Sequence, residues 1–313
     1  MATEHLFVHS DPTDCEQSTP KSYRYSVSTN CSLPKFDSSV SALCWAYNEE
    51  DLIEPYLLRL SKLLRESVED FEIVVVDDCS SDRTNEIVRR VREQVPEIRV
   101  LRNERNVNVG LSCQRAIRAA RKEYLFWQTI DWSYDLELLR TFLELLKTFD
   151  VVAGVRRTPV KARGLVFRQL EVMLKLFGTE HLTKRSDTVG KAFVSVINYA
   201  VIRTLFRLPV SDYQNVCFYP TKLIQSISYE SRSSFVNPEG LLKAYWKGMS
   251  IVEVPISFIP RTVGIAKGTS LRALAQSVGD ICRLWIKWIV VGELDRSKRG
   301  HVERFNPEDW EKQ

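Results

Sequence analysis

The sequence lacks the glycine-rich loops with which many nucleotide-binding proteins hold phosphates. Neither G-x-G-x-x-G nor G-x-x-x-x-G-K-[ST] occurs in its 313 residues. In such loops backbone N–H groups form the cradle for a phosphate chain. If this chain binds a diphosphate, side-chain cations or a metal ion must therefore balance the charge.

Paired cysteines, long apolar runs and a strong net charge are also missing. The seven cysteines are odd in number and scattered, with no C-x-x-C pair, which argues against structural disulfides and a zinc site and indicates a reducing compartment. The sequence contains no uninterrupted apolar run of about 18 residues, so no transmembrane helix is predicted. The N-terminus also lacks the apolar core of a signal peptide. A net charge of +4 does not indicate a nucleic-acid-binding protein.

The clearest positive signal is a run of β-branched residues that ends in two carboxylates. Residues 73–76 read Ile-Val-Val-Val and predict a parallel strand buried on both faces. Asp77 and Asp78 follow at its carboxyl end, where open α/β sheets bind ligands. There they could accept a hydrogen bond from a ribose hydroxyl or a base N–H. The alternative is a turn that leads into a helix capped by Asp82.

Strands and helices alternate along the rest of the chain. Residues 1–38 are polar and aperiodic and predict a mobile extension; His5 and His9 could hold a metal there, although a disordered end is the simpler interpretation. Predicted strands at 41–46, 98–101, 124–128 and 151–155 alternate with predicted helices at 51–66, 82–94 and 136–149. This order predicts parallel βαβ units with right-handed crossovers.

Six motifs follow one another in the order seen in glycosyltransferase family 2: AYNEEDLI, EIVVVDDCSSDRT, NVNVG, TIDWSYDLELL, AGVRR and EVPISFIPRTVGIAKG. The last resembles the arginine-x-x-glycine-x-x-lysine motif of dolichyl-phosphate mannose synthases and other polyprenyl-phosphate glycosyltransferases. The resemblance covers about residues 40 to 290. It implies an α/β GT-A fold at residues 39–269, with a Rossmann-like, mostly parallel sheet flanked by helices. It also implies a nucleotide-sugar donor and inverting transfer.

The resemblance assigns donor-binding roles to residues at several strand ends. Tyr47 would pack against the nucleobase, unless it only covers the core, and Glu49 would accept a hydrogen bond from the base. Arg156 would face the donor phosphates. The full donor-binding set comprises Trp45, Tyr47, Glu49, Val76, Asp78, Thr129, Ile130, Arg156 and Lys191.

The metal motif of the family, D-x-D, falls on Thr129-Ile130-Asp131, where a hydroxyl replaces the first carboxylate. The resemblance implies Mg²⁺ or Mn²⁺ bound by Asp131, with Ser133 two residues further on and the donor phosphates as other ligands. Asp135 is another nearby carboxylate, but its position favours a helix N-cap. The altered motif also favours a second hypothesis, a nucleotide-sugar-binding protein without activity that serves in a complex.

The resemblance names Asp131, Asp212, Arg261 and Lys267 as catalytic. Asp212 would lie near the reaction centre and become the general base if the acceptor is a hydroxyl, unless it only forms an Asx-turn. Arg261 and Lys267 would lie on a mobile loop that closes on the donor diphosphate. Residues 156–191 carry nine Lys and Arg against three Asp and Glu, which suits a diphosphate and an anionic lipid or is a solvated basic face.

Residues 270–291 predict an amphipathic helix with Trp285 and Trp288 on its apolar face and Arg283 and Lys287 beside them. Such a helix suits a membrane surface, or it packs on the catalytic domain or a second subunit. Residues 293–313 are predicted to form a charged tail. We expect a peripheral enzyme at the cytoplasmic face of a membrane, with or without a membrane-anchoring subunit. It would transfer a mannose-like hexose from a nucleotide sugar to a polyprenyl or dolichyl phosphate.

Overall fold

The computed structural model describes residues 34–156, 189–213, 215–257, 259 and 271–305, with backbone alone at 189–196, 271 and 272. Residues 1–33 of the predicted extension, including His5 and His9, lie outside the described residues. The predicted loop with Arg261, Gly264 and Lys267 also lies outside them.

The described strands form one sheet in the order β3-β2-β1-β4-β6-β5-β7-β8. Strand β6 runs antiparallel to β4 and β5, and the other neighbouring pairs are parallel. The predicted mixed, mostly parallel sheet is confirmed. Its strands are β1 (Phe36–Ala46), β2 (Val68–Asp77), β3 (Ile98–Arg102), β4 (Tyr124–Trp127), β5 (Val151–Arg156), β6 (Cys217–Pro220), β7 (Ser250–Ile256) and β8 (His301–Arg304).

Helices cover both faces of the sheet, and the predicted helices appear within a few residues of their expected bounds. They are α1 (Ile53–Ser67), α2 (Thr84–Gln94), α3 (Asn108–Ala119), α4 (Leu139–Leu145), α5 (Val189–Phe206), α6 (Thr221–Gln225), α7 (Val236–Trp246) and α8 (Leu271–Trp285). Helix α8 continues into a π-helical turn, Ile286–Val290. No described helix is both long and apolar enough to cross a bilayer.

The β-branched run of β2 is buried on both faces, as predicted. Ile73 and Val75 belong to the core that includes side chains of α1, α2 and α4. Val74 and Val76 belong to the core on the other side, with α3, α5 and α7. Successive strand residues point to opposite faces, so a continuous apolar run is what a sheet covered by helices on both sides requires.

The C-terminal helix belongs to the core, so its interpretation as an interfacial membrane helix through Trp288 was wrong. Trp288 is 1% exposed, and its ring lies 5.9 Å from Phe206 and 6.3 Å from Phe235, centroid to centroid. Trp285 is only partly buried but packs against the same core. Amphipathic spacing predicted an apolar face, but the aromatic residues that cover it are distant in sequence.

The segment after α8 also differs from the predicted charged tail. Within residues 293–313, β8 pairs in parallel with β7 and extends the sheet at one edge. His301, Glu303 and Arg304 are exposed on this edge strand. Such polar strands carry little of the apolar signal from which a strand is predicted, which is why the sequence did not reveal it.

Glu230 anchors the end of α8 and yields a testable prediction about stability. Trp288 Nε1 donates to Glu230 Oε1 at 2.9 Å, Lys243 Nζ donates to it at 3.1 Å, and Lys287 donates to Oε2. Burial opposes ionisation of Glu230, but the hydrogen bonds from Lys287, Trp288 and Lys243 outweigh it and lower its pKa to about 2.

We expect Glu230→Gln to lower the free energy of unfolding at pH 7 by about 1–2 kcal/mol, allowing for solvent screening of a partly exposed group. A depressed carboxyl pKa stabilises the fold above the unfolded value of 4.5, and this contribution disappears as the pH falls toward the folded value. Urea unfolding should therefore show a difference between the two proteins that narrows between pH 4.5 and pH 2. Glu293→Gln removes another, more exposed partner of Lys287 and should change little.

Candidate active site

Four of the predicted site residues lie at one edge of the sheet. Strands β1, β2 and β4 are parallel, and β6 runs antiparallel to both β4 and β5. All four parallel strands therefore end at the same edge. Tyr47 follows β1, Asp78 follows β2, Asp131 lies beyond β4 and Arg156 ends β5. This is the edge at which open α/β sheets bind ligands.

The loop after β1 is fixed by the turn after β2. Asn48 N donates to Ser80 Oγ at 3.0 Å, and Glu49 N donates to Thr84 Oγ1 at 2.8 Å. Tyr47 is 37% exposed, so its ring does not simply cover the core, and Glu49 is partly exposed. The loop thus presents an aromatic ring and a carboxylate on a backbone that hydrogen bonds hold in place.

The two aspartates at the end of β2 have different roles. Asp77 is fully buried and its Oδ1 accepts the N–H of Ser80 at 2.9 Å, which is the turn-forming role that the sequence left open. Asp78 Oδ1 accepts from Asn103 Nδ2 at 2.7 Å and from Val107 N at 2.9 Å. Asp78 therefore ties the loop before α3 to the edge of the sheet.

A closed turn presents Asp131. Thr129 O accepts the N–H of Trp132 at 2.9 Å, and Thr129 Oγ1 accepts the N–H of Ser133 at 3.1 Å. Gln128, which is buried, accepts from Thr129 N at 2.9 Å and donates to Tyr134 O at 2.6 Å. The hydroxyl that replaces the family's first carboxylate therefore closes the turn. No sequence motif predicted the role of Gln128 in this turn.

Trp132 occupies a strained backbone position in the middle of this turn. Its φ is 53°, which is unusual for a bulky residue and persists only where the surroundings enforce it. The ring of Tyr56 packs edge-on against the indole at 5.8 Å, and the guanidinium of Arg59 lies 4.1 Å from the ring centroid. Side chains of α1 thus stabilise the turn by packing on Trp132. No sequence motif predicted this contact.

The side chains present fit a metal site with one protein carboxylate. Mg²⁺ is often bound by one or two carboxylates together with substrate phosphates, and Asp131 can supply one. Ser133 Oγ donates to Asp131 Oδ1 at 2.6 Å and orients it; its role as a metal ligand stays a prediction. The described part of the chain contains no cluster of three His, Cys, Asp or Glu side chains that could hold a metal by itself.

Arg156 and Asp212 form a bidentate ion pair. Arg156 Nε donates to Asp212 Oδ2 at 2.8 Å and Nη2 donates to Oδ1 at 3.1 Å, with side-chain exposures of 12% and 1%. Burial alone would lower the pKa of Arg156, but the charge of Asp212 outweighs it and raises that pKa. The sequence predicted both residues at the site but not their pairing.

Tyr134 interacts electrostatically with this ion pair and with Asp131. Burial raises the pKa of the Tyr134 phenol to about 12, and the charges of Arg156, Asp212 and Asp131 all act on it. A neutral phenol therefore lies within electrostatic reach of all three charged groups. Tyr134 was not among the predicted site residues, because a tyrosine beside an altered metal motif carries no distinctive spacing.

The other predicted site residues are buried, partly buried or not fully described. Val76 is fully buried, and its donor-binding role stays a prediction. Ile130 is buried in the core, and Trp45 packs against the opposite core. Lys191 lies on α5, whose backbone alone is described there, and Arg261 and Lys267 fall outside the described residues; the roles of these three stay predictions.

More than half of the chain matches a known protein family. Residues 41–207 match the family described as Glycosyl transferase family 2. Among curated proteins, the chain is 26% identical over 269 residues to glycosyltransferase AglD of Haloferax volcanii, with 82% of this chain and 38% of AglD covered. It is 25% identical over 227 residues to the undecaprenyl-phosphate mannosyltransferase of Micrococcus luteus, with 71% of this chain and 84% of that protein covered. The chain thus spans well under half of AglD.

Solved structures with the same fold include proteins in complex with UDP or UDP-GlcNAc. Glucosyl-3-phosphoglycerate synthase of Mycobacterium tuberculosis, with Mn²⁺, UDP and phosphoglyceric acid, has a TM-score of 0.50 at 16% identity over 80% of this chain and 78% of that chain. TarS residues 1–349 of S. aureus, with UDP-GlcNAc, has a TM-score of 0.50 at 17% identity over 83% and 68%. At these identities the likeness confirms the predicted GT-A fold.

Proposed function

The chain belongs to glycosyl transferase family 2, as its six motifs predicted, and we propose that it transfers a hexose from a nucleotide sugar to a polyprenyl phosphate with inversion. The observation that carries the proposal is the position of Asp131, presented at the carboxyl edge near the buried Arg156–Asp212 pair. A carboxylate for a metal ion and a fixed cation are the groups that a departing diphosphate needs.

The donor would lie along the carboxyl edge of the sheet. We propose that its base stacks on Tyr47, with Glu49 and Asp78 as hydrogen-bond acceptors, and that its diphosphate extends toward Asp131 and Arg156. When bound, Mg²⁺ or Mn²⁺ would stabilise negative charge on the departing diphosphate. The solved relative with Mn²⁺ and UDP supports this arrangement. Asp131, oriented by Ser133, would hold the ion.

The reaction is a single displacement. An oxygen of the acceptor phosphate forms a bond to the anomeric carbon as the bond from that carbon to the donor diphosphate breaks. The electron pair of the broken bond departs with the nucleoside diphosphate. A phosphate acceptor is already an anion, so this chemistry requires no general base.

The Arg156–Asp212 pair favours a phosphate acceptor over a hydroxyl. With a hydroxyl acceptor, Asp212 would have to take up its proton, yet both carboxylate oxygens accept hydrogen bonds from Arg156. The named activity of the Micrococcus luteus relative, which the chain covers over 84% of its length, also supports a polyprenyl phosphate. A lipid acceptor also implies that the reaction takes place at a membrane surface. We propose that the enzyme binds the cytoplasmic face, either directly or through an anchoring subunit.

The test is a transfer assay with a panel of GDP- and UDP-hexoses and two matched acceptors, a polyprenyl phosphate and the corresponding polyprenol without phosphate. We expect one donor to yield a hexosyl phosphoprenol, identified by mass spectrometry, and no product from the alcohol. Equal transfer to the alcohol would favour a hydroxyl acceptor. Donor binding without hydrolysis or transfer across the panel would instead indicate a nucleotide-sugar-binding protein without activity.

A further inference from the structure

A cleft adjoins the candidate active site on the side of Asp78, because Val107, whose N–H donates to Asp78 Oδ1 at 2.9 Å, is part of its lining. It has a volume of about 530 Å³ and opens between the loop after β3, the first turn of α3, the loop before α7 and the middle of α8. Its polar lining includes Arg105, Arg232, Arg283, Gln276 and Asp280, and Leu111 supplies apolar surface. Tyr47, Asp131 and Arg156 do not line this cleft.

The lining carries an excess of positive charge. Arg105 and Arg232 are exposed, and neither guanidinium forms a hydrogen bond or ion pair with any residue that the structure describes. Arg283 Nη2 donates to Asp280 Oδ1 and to Glu230 O, each at 2.9 Å. Among the described lining residues, three guanidinium groups therefore accompany one carboxylate, and two of them have no partner in the described part of the chain.

The single carboxylate is already engaged in holding the cleft together. Asp280 Oδ2 accepts the N–H of Arg232 at 2.8 Å and that of Ser233 at 3.0 Å. Burial opposes its ionisation, but the hydrogen bonds from Arg283 and from residues 232 and 233 lower the pKa of Asp280. Ionised Asp280 thus links α8 to the loop that carries Arg232 through hydrogen bonds.

A close backbone approach fixes the same loop against α3. A Cβ added at Gly110 would lie 2.4 Å from the carbonyl carbon of Arg232, so only glycine allows this contact. Helix α3 begins at Asn108 in the cleft wall, where Asn106 Oδ1 accepts the N–H of Asn108 at 3.2 Å, and its first turn carries no acidic residue. The positive end of the α3 dipole adds to the positive potential of the arginines. The loop that carries Arg232 is therefore held in place by both α8 and α3.

We propose that this cleft binds the phosphate group of a phosphorylated ligand, at a site separate from that of the donor diphosphate. Guanidinium groups bind phosphate oxygens in a bidentate manner, and the free pair Arg105 and Arg232 provides two such groups. The cleft is larger than one phosphate requires, so it has space for the rest of the ligand against Leu111. The inference goes beyond the proposed transfer reaction and does not depend on it.

The phosphate could come from a soluble compound or from a lipid headgroup. Exposed apolar side chains also occur on α8 and in the π-helical turn after it, at Leu274, Val278 and Ile286, of which Val278 is 51% exposed. They would suit contact with a lipid if the phosphate belongs to a headgroup. The shared requirement is a phosphate held by Arg105 and Arg232, and the two sources can be separated by experiment.

Calorimetric titration of the full chain with inorganic pyrophosphate is the first arm. We expect two binding events in the wild type, one at the active site and one in the cleft. Arg105→Ala combined with Arg232→Ala should weaken the second event at least tenfold, because both guanidinium groups that would bind the phosphate are removed. The fold should persist, since neither side chain has a hydrogen-bond or ion-pair partner among the described residues. Gly279→Asp should do the same, because an added Cβ there meets no atom within 4 Å and the new charge would repel phosphate. Arg118→Ala is the control. It lowers the net charge by one, as Gly279→Asp does, but at the far end of α3.

Flotation with phosphatidylcholine vesicles, with and without phosphatidylserine, is the second arm. Pyrophosphate binding that depends on Arg105 and Arg232 would identify a soluble phosphate ligand. Binding to the anionic vesicles alone, lost in the same double variant and in Gly279→Asp, would identify a headgroup. If neither probe binds, or if both bind the variants as they bind the wild type, the cleft is not a phosphate site.

Discussion

Replacing Asp131 by asparagine should lower kcat about 10³-fold, equivalent to about 4 kcal/mol of transition-state stabilisation. Asp131 is the only carboxylate in the Thr129-Ile130-Asp131 motif, so no second charge can compensate for its loss. Asparagine keeps the size of the side chain and an oxygen that can accept from Ser133 Oγ. The loss should therefore come from the missing charge rather than from a collapsed turn.

Turnover with saturating donor, measured over a titration of Mg²⁺ and of Mn²⁺, gives the readout. The matched control is Ser133→Ala, which keeps the carboxylate and removes only the hydrogen bond that orients it. We expect it to lower kcat about tenfold and to shift the metal midpoint to higher concentration. An Asp131→Asn enzyme that keeps full activity in the presence of a chelator would exclude the metal role of this residue.

The elements with the strongest sequence signals were predictable because local patterning determines them. The run Ile73 to Val76 is apolar on both faces of a strand, which favours a strand covered by helices on both sides. The structure shows these residues in the two hydrophobic cores on either side of the sheet. Helix α1 followed from apolar residues at helical spacing. Strand β8 did not, because an exposed edge strand such as His301–Arg304 has no apolar alternation and obtains its stability from the partner strand.

The site was predictable where it depends on strand ends and unpredictable where it depends on tertiary contacts. Tyr47, Asp78 and Asp131 follow from the rule that parallel strands end at one edge. The hydrogen bonds of Gln128 and the packing of α1 side chains on Trp132 could not be predicted in this way. They depend on which side chains distant in sequence meet in the folded protein. Trp288 shows the same limit, since its helix was predicted but the aromatic residues around it were not.

The Arg156–Asp212 pair is the most informative such contact, because its members are separated by 56 residues in sequence and either one could be essential. If the pair supplies a cation to the departing diphosphate, Arg156 is the functional partner and Asp212 holds it in position. If the acceptor is a hydroxyl, Asp212 is the functional partner as general base. The two single variants therefore distinguish the acceptor classes.

We expect Arg156→Ala to lower kcat by a factor of about 10²–10³ and Asp212→Asn to lower it by only about tenfold. Both variants break a buried ion pair and should lose about 3–5 kcal/mol of folding stability, so thermal unfolding must first show that each is folded at the assay temperature. Arg156→Lys keeps the charge without the bidentate geometry and should recover part of the activity. If Asp212→Asn is instead the more damaging variant at equal folded fraction, the carboxylate takes part in proton transfer. The acceptor is then a hydroxyl.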